Sequence, residues 1–118
     1  MSDAPKPNVL HTRICDLFGC KFPVIKTGMG WVSGSRLTAA TSEAGGLGIL
    51  ASATMTYAEL ESEIAAVKEL TDKNFGVNFR ADQEDIEKRI DLAIAQKVKV
   101  ASFAQAPGEA IVKKLKDA

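Results

Sequence analysis

The sequence is poor in the residues that metal and redox centres are built from. It has one histidine, His11, and two cysteines, Cys15 and Cys20. A closed metal site needs about four ligands, so no metal centre is expected. The two cysteines read as reduced, partly buried thiols of a cytoplasmic protein rather than as a disulfide or redox pair. An excess of one charge is missing too: 15 basic side chains balance 15 acidic ones. That balance speaks against a nucleic-acid surface or a polybasic membrane surface. No apolar run approaches the roughly 18 residues of a membrane span. The N-terminal stretch carries Asp3, Pro5 and Pro7 and lacks the apolar core of a signal peptide. Residues 1–10 are expected to form a disordered lead-in, and residues 11–118 to form one domain.

What the chain does have is a regular alternation. Thr12 to Phe18 reads as a short helix capped by Thr12, with Ile14, Leu17 and Phe18 on one face and Gly19 at its end. Pro23 opens a strand through Val24 and Ile25. Ser33 to Ala44 reads as a helix capped by Ser33, with Leu37, Ala40, Thr41 and Ala44 at helical spacing. Leu47-Gly48-Ile49-Leu50 is continuously apolar, which suits a parallel strand covered on both faces. Thr56-Tyr57-Ala58-Glu59 has the form of a capping box before a helix that buries Leu60, Ile64, Val67 and Leu70 and turns Glu61, Glu63, Lys68 and Glu69 outward.

Phe75 to Phe79 is the third strand. Asp82 is read as the cap of a helix whose inner spacing takes in Ile86, Ile90, Ala93, Ile94 and Lys97. Its charged residues, Glu84, Glu87, Lys88, Arg89 and Asp91, read as a solvated face without function. Val98 to Phe103 is the fourth strand, and a last helix runs through Ile111, Val112 and Leu115. The strands start near Val24, Leu47, Phe75 and Val98, a repeat of 23 to 28 residues. Strict strand–helix alternation implies right-handed crossovers and a parallel sheet. An open doubly wound sheet and part of a (β/α)8 barrel both fit this order.

Three stretches carry a resemblance to a known family: Pro23-Val24-Ile25-Lys26-Thr27-Gly28-Met29-Gly30-Trp31-Val32-Ser33, Ser42-Glu43-Ala44-Gly45-Gly46-Leu47-Gly48-Ile49-Leu50 and Leu70-Thr71-Asp72-Lys73-Asn74-Phe75-Gly76-Val77-Asn78. In this order and spacing they resemble the flavin-dependent nitronate monooxygenases, formerly 2-nitropropane dioxygenases. The flavin-dependent enoyl-ACP reductases share that fold. The resemblance implies an α/β fold of four βα units, half of an FMN-binding (β/α)8 TIM barrel. It also implies that a chain ending at Ala118 is an N-terminal half. One departure stands in the first stretch: many relatives have Gln where Lys26 stands and a small residue where Thr27 stands. An ammonium cannot accept a hydrogen bond as an amide does.

The resemblance implies FMN as cofactor. Gly28 and Gly30 allow close main-chain approach to a flat ring, and Met29 offers it a soft apolar surface. Asn78 holds the position of a family asparagine that touches FMN, and its amide suits the mixed donor–acceptor edge of a flavin. Ser102 and Gln105, at the end of the fourth strand, are candidates for the substrate side; Ser102 is equally a satisfied polar group of the core. Trp31 either walls the flavin pocket or packs under the first barrel helix, and packing is the simpler reading. No catalytic residue is assigned. His11 precedes the first strand, at the end of a barrel away from its site, and the family's histidine and phosphate-binding loops belong to the second half of the fold.

The implied reaction is oxidation of a small carbanion-like substrate such as an alkyl nitronate, with O2 reoxidising the flavin. A rival within the same fold is dehydrogenation or reduction of an acyl-CoA or acyl-ACP thioester, as in steroid-ring breakdown. A third reading is an inactive half-barrel, whose open strand edges invite self-association or pairing with a C-terminal half.

Overall fold

The computed structural model describes residues 9–118. The expected lead-in lies outside the described residues except for Val9 and Leu10, which are exposed. The elements are α1 (Arg13–Phe18), β1 (Ile25–Lys26), α2 (Ser35–Glu43), β2 (Leu47–Ala51), α3 (Tyr57–Leu70), β3 (Phe75–Phe79), α4 (Ile86–Ala95), β4 (Val100–Phe103) and α5 (Glu109–Asp117). A single 3-10 turn, Ser52–Thr54, links β2 towards α3.

The strands form one parallel sheet in the spatial order β1-β2-β3-β4. A doubly wound sheet reverses its strand order at a switch point. Here every crossover steps one strand further in the same direction, which is the winding of a (β/α)8 barrel. The unreversed order separates the two architectures that the alternation alone left open.

Register explains how the two faces of this arc divide. Leu50 pairs with Val77, while Ile49 pairs with Gly76, Ala51 with Asn78 and Asn78 with Ser102. Side chains alternate along a strand, so Leu50, Phe75, Val77 and Phe79 fall on the helix side. There they join Leu60, Ile64 and Ile90 in the core. Ile49, Gly76, Asn78 and Ser102 fall on the opposite, inner face. Helix α2 lies directly on β2: a Cβ at Gly48 would stand 2.1 Å from the Thr38 carbonyl oxygen. No side chain fits there, so this glycine sets the distance between helix and sheet.

The capping box of α3 forms in full. The Glu59 amide donates to Thr56 Oγ1 at 3.2 Å, and the Thr56 amide donates to Glu59 Oε2 at 2.8 Å. Other expectations are corrected. In α1 the buried residue is Cys15, while Ile14 and Leu17 are exposed. Helix α2 begins at Ser35 behind Gly34, and its buried face is Ser35, Thr38, Ala39 and Ser42 rather than the stripe with Leu37 and Ala40. Small polar residues are tolerated there because they are bonded: Ser42 Oγ accepts from the Gly48 amide at 3.0 Å, and Glu63 Oε2, expected to face outward, accepts from the Ser35 amide at 2.5 Å. Leu70, expected in the α3 core, is exposed. Helix α4 starts behind Asp85, and Asp82, expected to cap it, is engaged with Arg80 at 2.8 Å instead. Lys97 lies past the end of α4 with φ 57°, in the left-handed region, instead of continuing the inner stripe.

Candidate functional site at the strand ends

The C-terminal ends of the four strands gather most of the polar groups singled out in the sequence. The loop after β1 is held by Ser33, which is buried. Ser33 Oγ accepts from the Met29 amide at 2.9 Å and donates to the Thr27 carbonyl at 3.3 Å, and the Ser33 amide donates to the Met29 carbonyl at 2.8 Å. This residue therefore ties the loop to itself instead of capping α2 as expected. The tie presses Gly28 over the ends of β2 and β3. A Cβ at Gly28 would stand 2.8 Å from Asn78 Cβ and 3.3 Å from Ala51 Cα. Gly28 and Asn78, fifty positions apart in the sequence, are immediate neighbours.

Asn78 is anchored on two sides. Its Nδ2 donates to Ser102 Oγ at 3.0 Å, and its carbonyl accepts from Ser52 Oγ at 2.6 Å. One Nδ2 proton is engaged in this way, which leaves the amide capacity for a further donor and for acceptance at Oδ1. Ser102 thus belongs to the strand-end network, half-buried and with its hydroxyl satisfied by Asn78. Gln105 is exposed two residues beyond β4 and is not brought into this network. Met29 is partly exposed on the loop surface. Gly30 lies against Thr54, whose Oγ1 accepts from the Trp31 amide at 3.3 Å.

Trp31 does not pack under α2. It is 91% exposed and has φ 60°, a left-handed conformation that is costly for a bulky residue. Its ring borders a cleft of about 450 Å³ lined by Ser33, Gly34, Thr54, Met55, Glu59 and Glu63. The held loop, rather than apolar burial, sets the position of the indole.

Lys26 takes the other side of the sheet. Its register partner is Gly48, whose missing side chain faces α2. Lys26 Nζ donates to the Ile49 carbonyl at 2.6 Å and to Thr38 Oγ1 at 3.4 Å. Partial burial without a carboxylate partner lowers its pKa to about 8. The lysine that departs from the family pattern is therefore a helix-side group and makes no contact with the Gly28–Asn78 junction. His11 is bonded to Asp16 at 2.7 Å beside α1. That helix docks at the opposite end of the sheet, where Asn74, just ahead of β3, donates to the Phe18 carbonyl. Cys15 and Cys20 are free thiols, and burial, with Cys15 nearby, pushes the Cys20 thiol up.

Ser52, Thr54 and Arg89 in this region were missed by sequence reasoning. Arg89, placed on the solvated face by its charge, is 4% exposed. Its Nε donates to Asp85 Oδ1, Nη1 to the Ser52 carbonyl and Nη2 to the Met55 carbonyl, each at 2.8 Å. The Arg89 bond holds the Asp85 carboxyl below its ordinary pKa. The signal was present: Arg89 stands three residues after Ile86 and four before Ala93, on the buried stripe of α4.

The inner strand ends offer main-chain surface at Gly28, an amide at Asn78 and a soft side chain at Met29. That donor set, with a position that a single Cβ would fill, fits a flat heteroaromatic ring. The chain also matches known proteins. Residues 11–116 match the family model for nitronate monooxygenase. The chain is 60% identical over 111 residues to a protein of Rhodococcus jostii named (3aS,4S,5R,7aS)-5-hydroxy-7a-methyl-1-oxo-octahydro-1H-indene-4-carboxyl-CoA dehydrogenase, covering 94% of this chain and 31% of that protein. It is 39% identical over 70 residues to a probable nitronate monooxygenase of Staphylococcus saprophyticus, covering 59% of this chain and 20% of that protein. The structure of FabK from Thermotoga maritima superimposes with a TM-score of 0.86 at 34% identity, covering 91% of this chain and 34% of that one. The chain thus spans about a third or less of the length of each of these proteins.

Proposed function

The chain belongs to the nitronate monooxygenase family, and we propose from that premise that it forms the flavin-ring side of an FMN-dependent dehydrogenase acting on a CoA thioester of a partly degraded steroid ring. The observation that carries this choice is the contrast in similarity. Identity is 60% over 94% of the chain to a protein named as a carboxyl-CoA dehydrogenase, against 39% over 59% to one named as a probable nitronate monooxygenase. Oxidation of a small nitronate with O2 is the second reading, and the family match favours it.

FMN, when bound, supplies the two-electron chemistry. The chain's own residues bind and orient. Gly28 gives the ring main-chain contact, Met29 an apolar surface and Asn78 a hydrogen-bonding edge, while Ser102 and Ser52 fix the Asn78 amide and backbone. Gln105 is left as a substrate-side group. No residue described here is assigned proton transfer. The open edges of β1 and β4 are proposed to pair with further strands, either of a C-terminal half or of a second copy. No helix among the described residues is long and apolar enough to cross a membrane, and a cytoplasmic location is proposed.

The test is reconstitution with FMN, followed by anaerobic titration with a steroid-ring CoA thioester and, separately, with an alkyl nitronate. Loss of visible flavin absorbance with the thioester supports the first reading. Loss with the nitronate alone replaces it by the second, and failure of the protein to retain FMN favours an inactive half-barrel. Size-exclusion of the same preparation reports whether the open edges pair.

A further inference from the structure

The buried arginine of α4 reaches every segment of the strand-end site without touching the place where a ligand would lie. Its guanidinium bonds the carbonyls of Ser52 and Met55, so it closes both ends of the turn between β2 and α3. From that turn two connections run outward, and the first continues to β4. Ser52 Oγ donates to the Asn78 carbonyl at the end of β3. Asn78 Nδ2 continues to Ser102 on β4. Thr54, inside the turn, receives the Trp31 amide and packs against Gly30 in the loop after β1. One side chain, supplied by the helix after β3, is thereby linked through the turn to groups at all four strand ends.

The chemistry of the residue suits this task. A guanidinium carries five donors in a planar fork, and three of them point here at three fixed acceptors. A lysine has one nitrogen and cannot span two carbonyls and a carboxylate together. Asp85, one helical turn earlier, neutralises the charge and orients the fork. The Ser52 carbonyl also accepts the Met55 amide at 3.1 Å, so the turn is closed by its own backbone as well. The arginine is not needed to form the turn; it ties the formed turn to α4.

We infer that Arg89 is a positioning residue that sets the geometry of the flavin platform through the Ser52–Thr54 turn. The inference rests on the flavin reading above. The test uses the whole flavin-loaded protein with Arg89→Met, Arg89→Lys, and Arg89→Ala with and without added guanidinium ion. FMN affinity is read by fluorescence titration, the ring environment by visible circular dichroism, and the platform without ligand by hydrogen exchange at the Trp31 amide.

Arg89→Met is expected to weaken FMN by about tenfold, the usual scale for loss of a supporting contact. It should also alter the visible dichroism and speed exchange at Trp31. Arg89→Lys should recover little, whereas guanidinium ion should restore Arg89→Ala towards the parent. Ser52→Ala cuts one connection without stranding a buried charge; it is expected to weaken FMN about threefold, as loss of one hydrogen bond does, and it carries the test if the arginine variants do not fold. Folded variants with parental FMN affinity, dichroism and Trp31 exchange overturn the inference. A parent protein that binds no FMN overturns the flavin reading instead, and the Trp31 exchange then still decides whether Arg89 holds the strand ends together.

Discussion

The two central strands and the two outer strands are built on the same ladder and differ sharply in burial. Nine of the ten residues of β2 and β3 are buried, and none of the six residues of β1 and β4 is. The inner pair has neighbours on both edges and helices packed against it. Each outer strand has one neighbour, and Val24 and Ile25 stay largely open to solvent. Stability is therefore concentrated at β2 and β3, while the outer strands contribute chiefly their ends, the Gly28 loop and Ser102, to the site. A break in the centre should unfold the domain; a change at the edge should alter only local order.

The largest expected effect comes from Gly48→Ala. The added methyl would meet the Thr38 carbonyl oxygen at 2.1 Å, and that oxygen belongs to helix backbone. Helix α2 must lift off the sheet, at a cost of about 4 kcal/mol, at the upper end for single substitutions. Urea unfolding checks it, and a loss below about 1 kcal/mol would show that α2 does not seat on β2 as described. Next comes the direct contrast between centre and edge. Leu50→Ala, in a fully buried position, should cost about 3 kcal/mol, and Ile25→Ala, 43% exposed, less than about 1 kcal/mol. Equal costs at the two positions would remove the distinction between central and outer strands.

That distinction also explains what was legible in the sequence. Leu47 to Leu50 announces itself as an uninterrupted apolar run, because both faces of that segment are covered, and Phe75 to Phe79 is apolar except at Asn78. The capping box at Thr56 and Glu59 is local and formed as expected. The α2 face was misassigned because its buried residues include Ser35, Thr38 and Ser42, whose polar groups find partners outside the helix: Glu63 at the Ser35 amide, Lys26 at the Thr38 hydroxyl and the Gly48 amide at the Ser42 hydroxyl. Arg89 was misassigned for the same reason: its acceptors are carbonyls 34 and 37 positions away. The Gly28–Asn78 junction came from family resemblance, since nothing in either segment alone says that the two will touch. Trp31 was misplaced because apolar character suggests burial, whereas a loop tied by Ser33 and Thr54 holds the indole out.

The smallest predicted effect separates β1 from its neighbours by charge. Lys26 links this outer strand to the Ile49 carbonyl of β2 and, at 3.4 Å, to Thr38 of α2, and its amine is held without a counter-ion. Its pKa falls to about 8 in the folded protein and lies near 10.4 in the unfolded chain. Between those values the unfolded chain keeps a proton that the folded chain has released, so this group makes stability rise with pH across that window. Below it, the folded protein carries a charged, partly desolvated ammonium. In Lys26→Gln the amide can still donate to the Ile49 carbonyl, and the charge is gone. At pH 7 the variant should be more stable by roughly 1 kcal/mol, once the solvent that still reaches the amine is allowed for. The advantage should vanish by about pH 10, as the parent's amine is released from its proton. Paired denaturation curves across that range give the readout. A difference that stays constant with pH would mean that folding leaves the pKa of this amine unchanged.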